Sequence, residues 1–141
     1  MYFKPLLLPL LAQVALTFIV MVNMYRKRVS EMKIKRIHPQ RIKTRYKSKA
    51  LLTDSASAAD NYSNLFELPA LFYLAILLTL TLMVQDSILV VLAWLFVVSR
   101  YLHSFIHVSY NNVMHRFSVF IFGSFVILAY WVRLGWIILL A

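Results

Sequence analysis

The stretch Asn61–Tyr73, NYSNLFELPALFY, decides how the whole chain is read. It sets Asn64 and Glu67 three residues apart, follows them with Pro69, and runs on into about twenty apolar residues. A carboxylate at the centre of a bilayer costs roughly 2.5–3.5 kcal/mol, and less near the interface, so it is kept only where it has a partner or a task. In a helix Asn64 and Glu67 share one face, and Asp60 extends that face by a turn. Pro69 removes a backbone donor and leaves a carbonyl near Leu65 to be satisfied by a neighbour or by water. A kink is expected there, with space between helices.

Outward from this stretch lie four apolar runs, Leu6–Tyr25, Leu65–Val84, Ile88–Val108 and Phe117–Ala141. Each has about the twenty residues that a helix needs to cross roughly 30 Å of hydrocarbon. They are too long and too little alternating for strands. With 62% hydrophobic residues and a mean hydropathy of +0.74, a soluble domain is excluded. The fold class is all-α: a four-helix transmembrane bundle, one membrane domain over residues 1–141.

Charge sets the expected orientation. Of 15 Lys and Arg, all but Lys4, Arg100, Arg116 and Arg133 fall between Arg26 and Lys49. The second loop holds only Gln85, Asp86 and Ser87, whereas the third adds His115 and Arg116. The excess of positive charge predicts loops 26–60 and 109–116 in the cytoplasm and both termini outside. The middle of the first loop, EMKIKRIHPQRIKTRYKSK, suits an anionic leaflet, at about 1 kcal/mol for each basic residue near the surface. An acidic protein partner is the alternative. No base-reading residues accompany the charge, so nucleic acid is not expected. Because RKR follows the first apolar run and no A-x-A closes it, that run reads as a retained helix rather than a signal peptide. The chain has no cysteine, which excludes disulfides and thiolate ligands, so any thiol chemistry must come from a bound substrate.

Within the runs, Gln13 and Thr17 share a face and suit hydrogen bonds between helices. Asp54 or Ser55 is placed to cap a helix that leads into the second run. In SRYLHSFIHVSYNN, Arg100, His103 and His107 occupy i, i+3 and i+7, and Asn111 continues the row. Arg100 lies about 13 Å from the end of its run, so it needs an acid or a watery cleft. Glu67 is the only acidic residue inside any run, so Glu67 and Arg100 are expected to approach each other, within one subunit or across an interface. The two histidines suit acid–base work or a structural hydrogen bond that anchors the bundle. No further ligand completes a metal site with them, and none is expected. In the fourth run Gly123 permits close helix packing. Tyr130, Trp131, Arg133 and Trp136 read as an interfacial aromatic belt with a snorkelling arginine.

The order N-x-x-E-x-P (Asn64, Glu67, Pro69), then R-x-x-H (Arg100, His103), with the span count and the basic first loop, resembles the MAPEG family, membrane-associated proteins in eicosanoid and glutathione metabolism. The resemblance covers essentially the whole chain. It implies a homotrimer with glutathione held at subunit interfaces near the cytoplasmic helix ends, open to lipophilic substrates from the bilayer. By that resemblance Asn64 and Glu67 help to hold glutathione, the glutamate near its amino end, and Arg100 and His107 join the glutathione-binding set. Arg116 falls near the arginine assigned to thiolate activation, with His103 as a catalytic partner. The implied function is a glutathione-dependent transferase or peroxidase acting on lipophilic electrophiles, in a membrane expected to be the bacterial inner membrane. Three departures stand against it. No arginine precedes Asn64 in DNYSN, Phe120 stands where some members have a tyrosine, and His107 replaces another residue that is often a tyrosine. They leave open a non-catalytic, structural or lipid-binding subunit with a possible protein partner.

Overall fold

The computed structural model describes residues 4–140, all helix and connecting turns, so the expected end of the last run at Ala141 lies outside the described residues. Six α-helices follow one another: α1 Lys4–Ile34, α2 Arg45–Leu51, α3 Ala56–Asn64, α4 Leu68–Thr81, α5 Ser87–Val108 and α6 Val113–Leu140. Four helical stretches are long and apolar enough to cross a membrane: α1, α3 with α4, α5 and α6. The four-helix expectation is met.

The first helix is longer than its apolar run. Its 31 residues reach about 46 Å at 1.5 Å per residue, well beyond a 30 Å hydrocarbon layer. Nothing between Tyr25 and Ile34 breaks a helix, since Arg, Lys, Glu and Met are good helix formers. The end is a left-handed Arg36 (φ 50), with Ile37 N–H donating to the Met32 carbonyl at 2.9 Å. That is the geometry of a closing turn, and His38–Pro39 then blocks any continuation.

The core lies between α4, α5 and α6. Phe72 stacks on Phe96 with centroids 4.8 Å apart, and Ile76, Leu89, Ala93, Ile127 and Leu134 fill the space around them. Thr79, facing this apolar surface, gives its proton back to the Ala75 carbonyl at 2.7 Å and meets the Tyr130 hydroxyl at 2.9 Å. Burial without such partners would be costly.

This changes the reading of the far end. Tyr130 is only 1% exposed, so it belongs to the core rather than to an interfacial belt, while Trp136 is exposed. Arg133 does not snorkel freely. Its Nη2 donates to Asp86 Oδ2 at 2.6 Å, and Asp86 Oδ1 caps α5 by accepting from Leu89 N–H at 3.0 Å. Burial raises the Asp86 carboxyl pKa, but the hydrogen bonds from Arg133 and the backbone outweigh it and hold the group below its usual value.

At the basic end, Glu31 organises the connection. Its Oε1 accepts from Lys35 Nζ at 2.5 Å and Asp54 N–H at 2.9 Å, and its Oε2 from Ser55 N–H at 2.8 Å and Ser55 Oγ at 2.6 Å. Ser55 does precede α3, but it makes no side-chain cap. Its hydroxyl goes to Glu31, whose carboxylate meets the unpaired amides at the start of α3 instead. The extension of α1 and the start of α3 are thereby tied together. The hydrogen bond to Glu31, with Asp54 nearby, raises the Lys35 ammonium above its ordinary pKa.

Candidate functional site

The helix does not kink at Pro69; it breaks. α3 ends at Asn64 and α4 begins at Leu68, with Glu67 between them at φ −88, ψ −96. Proline has no N–H for the Leu65 carbonyl and disfavours helix at the residue before it. The chain accordingly restarts with Pro69 buried in the first turn of α4, where a missing donor costs nothing. Tight turns carry the backbone across, with Leu65 N–H on the Tyr62 carbonyl at 3.2 Å and Phe66 N–H on the Ser63 carbonyl at 3.0 Å. Non-helical backbone at membrane depth is tolerated only against protein or a water-filled cavity. Here it lines a cavity.

That cavity measures about 580 Å³ and is walled by α1, α2, α3, the break and the α5–α6 junction. Of the residues singled out in the sequence, Asn64, Glu67, His107 and Arg116 line it, as does Asp60. Three further cations reach the same space: Arg28 from the extension of α1, and Arg45 and Lys49 from α2. Arg28 is anchored by a hydrogen bond from its Nη2 to Ser48 of α2, while its Nε is buried without a partner. Four guanidinium or ammonium groups therefore face two carboxylates, Asp60 and Glu67. Lys49 lies 4.0 Å from Asp60, and among the described residues Glu67 has no ion-pair partner. The cavity lining thus carries both signs of charge, with the cations in excess.

The three added cations were not legible as ligands in the sequence. They sit in the run that fixes topology, and only the continuation of α1 and the return of α2 bring them to Asn64. The absence of arginines just before Asn64 is thus offset in space. The one usable signal was the helical register of Arg28 with Glu31, which is continuous with the first run.

Arg100 and His103 stand elsewhere. Arg100 is 1% exposed, buried between α5 and α6. Its Nη2 points at the carbonyls of Val119 and Phe120 at 3.4 and 3.5 Å, and its Nε lies 3.4 Å from Ser99 Oγ. The rings of Phe96 and Phe120 flank the guanidinium at 5.4 and 5.2 Å. Within one subunit the expected approach of Glu67 to Arg100 does not occur. Within the chain, Arg100 is directed at α6, whereas Glu67 opens into the cavity. Gly123 is what makes room for it: an added Cβ there would fall 2.6 Å from Ser99 Oγ and collide with the Arg100 guanidinium. His103 is buried beside it, its ring 6.1 Å from Phe120 and 5.3 Å from His107.

Arg116, by contrast, is directed by its surroundings. Its Nη1 donates to Asn111 Oδ1 at 2.7 Å and stands 3.2 Å from His107 Nδ1. Ser57 of α3 approaches the same Nδ1 at 3.2 Å and donates to the His107 carbonyl at 3.3 Å. One turn earlier Ser104 donates to Asn61 Oδ1 at 3.1 Å, so α3 is fastened to α5 at two levels.

Fold and site together define a membrane protein of four apolar spans with a cation-lined cavity at its basic end. The chain belongs to the MAPEG family, whose model matches residues 6–136. No curated protein and no solved structure matches the chain.

Proposed function

We propose that the cavity binds glutathione and that the protein uses its thiol on lipophilic electrophiles, as a transferase or peroxidase. One observation carries this reading: Arg28, Arg45, Lys49 and Arg116 converge from three helices, α1, α2 and α6, on a space that also holds Asp60, Glu67 and Asn64. Glutathione has two carboxylates for the cations and an ammonium for Glu67. Its thiol, with an unperturbed pKa of about 8.5, is mostly protonated at neutral pH, and a nearby guanidinium favours the thiolate. In the transferase reaction the thiolate sulfur attacks an electrophilic carbon, a C–S bond forms, and the leaving group departs or an anion is protonated. In the peroxidase reaction it attacks the distal oxygen of a lipid hydroperoxide, giving a lipid alcohol and a sulfenic acid. A second glutathione then yields the disulfide and water. Arg116 is assigned the thiolate, Asn64 and Glu67 the amino end. Arg100 and His103, enclosed away from the cavity, support α6 rather than touch the ligand.

The assembly belongs to the same proposal: a homotrimer in a bacterial inner membrane, both termini outside and the basic end cytoplasmic. The long apolar faces of α1 and α5 are exposed in the single chain and supply surface for lipid and for neighbouring copies. Anionic lipid is assigned to the basic loop, residues 26–60.

Phe120 favours a second reading, a non-catalytic lipid-binding or structural subunit of a membrane assembly. The ring at this position has no hydroxyl and is committed to packing against Arg100 and His103. Calorimetric titration of glutathione into the detergent-solubilised oligomer separates the two. Binding that Arg116→Ala and Arg45→Ala each weaken supports the glutathione reading; no heat at millimolar glutathione favours the second.

A further inference from the structure

The arrangement around Arg116 fixes more than its direction, because a guanidinium is always a donor and never an acceptor. Its Nη1 lies 3.2 Å from His107 Nδ1, so a hydrogen bond there requires a lone pair on Nδ1. Neutral imidazole carries one proton, which then has to be on Nε2. Ser57 fits the same state. Its hydroxyl has one proton, given to the His107 carbonyl at 3.3 Å or shared with Nδ1. Shared with Nδ1, that proton again needs the Nδ1 lone pair; given to the carbonyl, it leaves an Oγ lone pair that accepts equally well from an Nδ1–H, so it is the contact with Arg116 that selects the acceptor state. That carbonyl lies in the last turn of α5, where intrahelical donors run out, so Ser57 also satisfies a helix end.

Asn111 supplies the other half. It sits just past the end of α5 at φ 49, a left-handed conformation that asparagine tolerates better than most residues. Its N–H returns to the Ile106 carbonyl at 2.8 Å, which holds the turn, and its Oδ1 accepts from Arg116 at 2.7 Å. The guanidinium thus rests on two acceptors from the C-terminal end of α5, although Arg116 itself belongs to α6.

We propose that Asn111 and His107 are positioning residues for Arg116. In this arrangement His107 is held as the Nε2–H tautomer, a hydrogen-bond donor rather than a general base. The inference rests on the glutathione reading only for its chemical consequence. With Phe120 lacking a hydroxyl, Arg116 is the donor for a thiolate at this wall of the cavity, and His107, with Nδ1 engaged by Arg116, does not take the thiol proton. That proton goes to solvent or to a cavity carboxylate, Asp60 or Glu67, as the ligand binds.

Two measurements test it on the intact oligomer. The first reads the tautomer without any ligand, from the ring-nitrogen resonances of 15N-histidine-labelled protein, with His107 assigned by its loss in His107→Gln. The expected result is a protonated Nε2 and an unprotonated Nδ1, with the Nδ1–H form appearing in Arg116→Met. A wild-type Nδ1–H tautomer, or a pattern that Arg116→Met leaves unchanged, overturns the inference. The second reads the ultraviolet thiolate band of bound glutathione at fixed pH. Asn111→Gly keeps the left-handed turn and relieves its strain, so loss of folding does not confound it. The thiolate fraction is expected to fall roughly three- to ten-fold in this variant and to be restored in Asn111→Asp, which keeps the acceptor. An undiminished thiolate band in Asn111→Gly overturns the positioning role. Failure of the wild-type protein to bind glutathione counts against the proposed function alone, since the tautomer measurement still decides the inference.

Discussion

The two ends of the bundle handle charge in opposite ways. At the end carrying the α4–α5 turn, one acid meets one base: Asp86 pairs with Arg133 at 2.6 Å and caps α5, while Tyr130 and Thr79 satisfy each other beneath them. At the basic end Glu31 is fully engaged by four donors, but Arg28, Arg45, Lys49 and Arg116 face a cavity with too few acids to match them. The lesson is one of allocation. Polar groups that close on one another hold helices together, and those left open mark where the molecule meets something else.

That contrast can be broken from the cavity side with the largest effect. If the cavity carries out the proposed glutathione conjugation, Arg116→Ala is expected to lower its kcat roughly 100- to 1,000-fold, the usual loss when a preorganised charge partner of the reacting atom is removed. The glutathione affinity should change far less, which steady-state kinetics beside calorimetry will show. A mutant with unchanged kcat removes Arg116 from the chemistry.

Next in size comes the packing that supports the cavity. Gly123→Ala forces a methyl group against Ser99 and Arg100 and should destabilise the detergent-solubilised protein by about 1–3 kcal/mol, as overpacking does. Gly135, whose added Cβ would meet nothing within 4 Å, is the control. There the same change is neutral or stabilising by up to about 1 kcal/mol, through helix propensity. Equal thermal shifts in the two variants would contradict the account of Arg100.

A smaller effect is expected from the closed end. Arg133→Gln leaves Asp86 without its guanidinium, and because the pair is partly exposed the loss at neutral pH is about 1 kcal/mol. The pH dependence has a definite sign. The folded Asp86 pKa is depressed, so its contribution is fully present above the ordinary Asp value of about 3.9 and is lost as pH falls through the lower folded value. Thermal unfolding followed from pH 6 down to pH 2 should show a decline in the wild type that Arg133→Gln flattens. Parallel curves would mean that the pair contributes nothing.

The smallest change sharpens the comparison. Lys49→Gln removes an exposed cation 4.0 Å from Asp60, so its effect on stability should stay within about 0.5 kcal/mol. If the cavity binds an anion, its affinity for glutathione should still fall, and the salt dependence of binding should become shallower. A loss of stability with no change in binding would reverse the roles assigned to the two ends.

The four spans were legible because a bilayer imposes a length and a composition, and both are properties of contiguous residues. The face shared by Arg100, His103 and His107 was legible too, since helical periodicity decides which residues turn inward. Periodicity does not say which neighbour they turn toward. Arg100 was matched to Glu67 by counting acids inside the spans, whereas backbone carbonyls of α6 and the notch at Gly123 receive it. Asp86 and Arg133 lie 47 residues apart, and their pairing depends on how α6 leans on the α4–α5 turn. For Arg28, Arg45 and Lys49 the obstacle was different. The topological use of positive charge and its use in binding are written with the same residues, and only a tertiary path separates them.

The fit of Arg100 against Gly123 carries a consequence for how substitutions combine. The two positions share one small volume, so the effect of a change at either depends on what occupies the other. Shortening Arg100 removes one of the two obstructions that a methyl group at 123 would meet and leaves Ser99 Oγ, so Gly123→Ala should be better tolerated in an Arg100→Ala background than in the wild type, and better still with Ser99→Ala added. Any sequence drift through this interface is therefore order-dependent: its neighbours have to shrink before the glycine can grow.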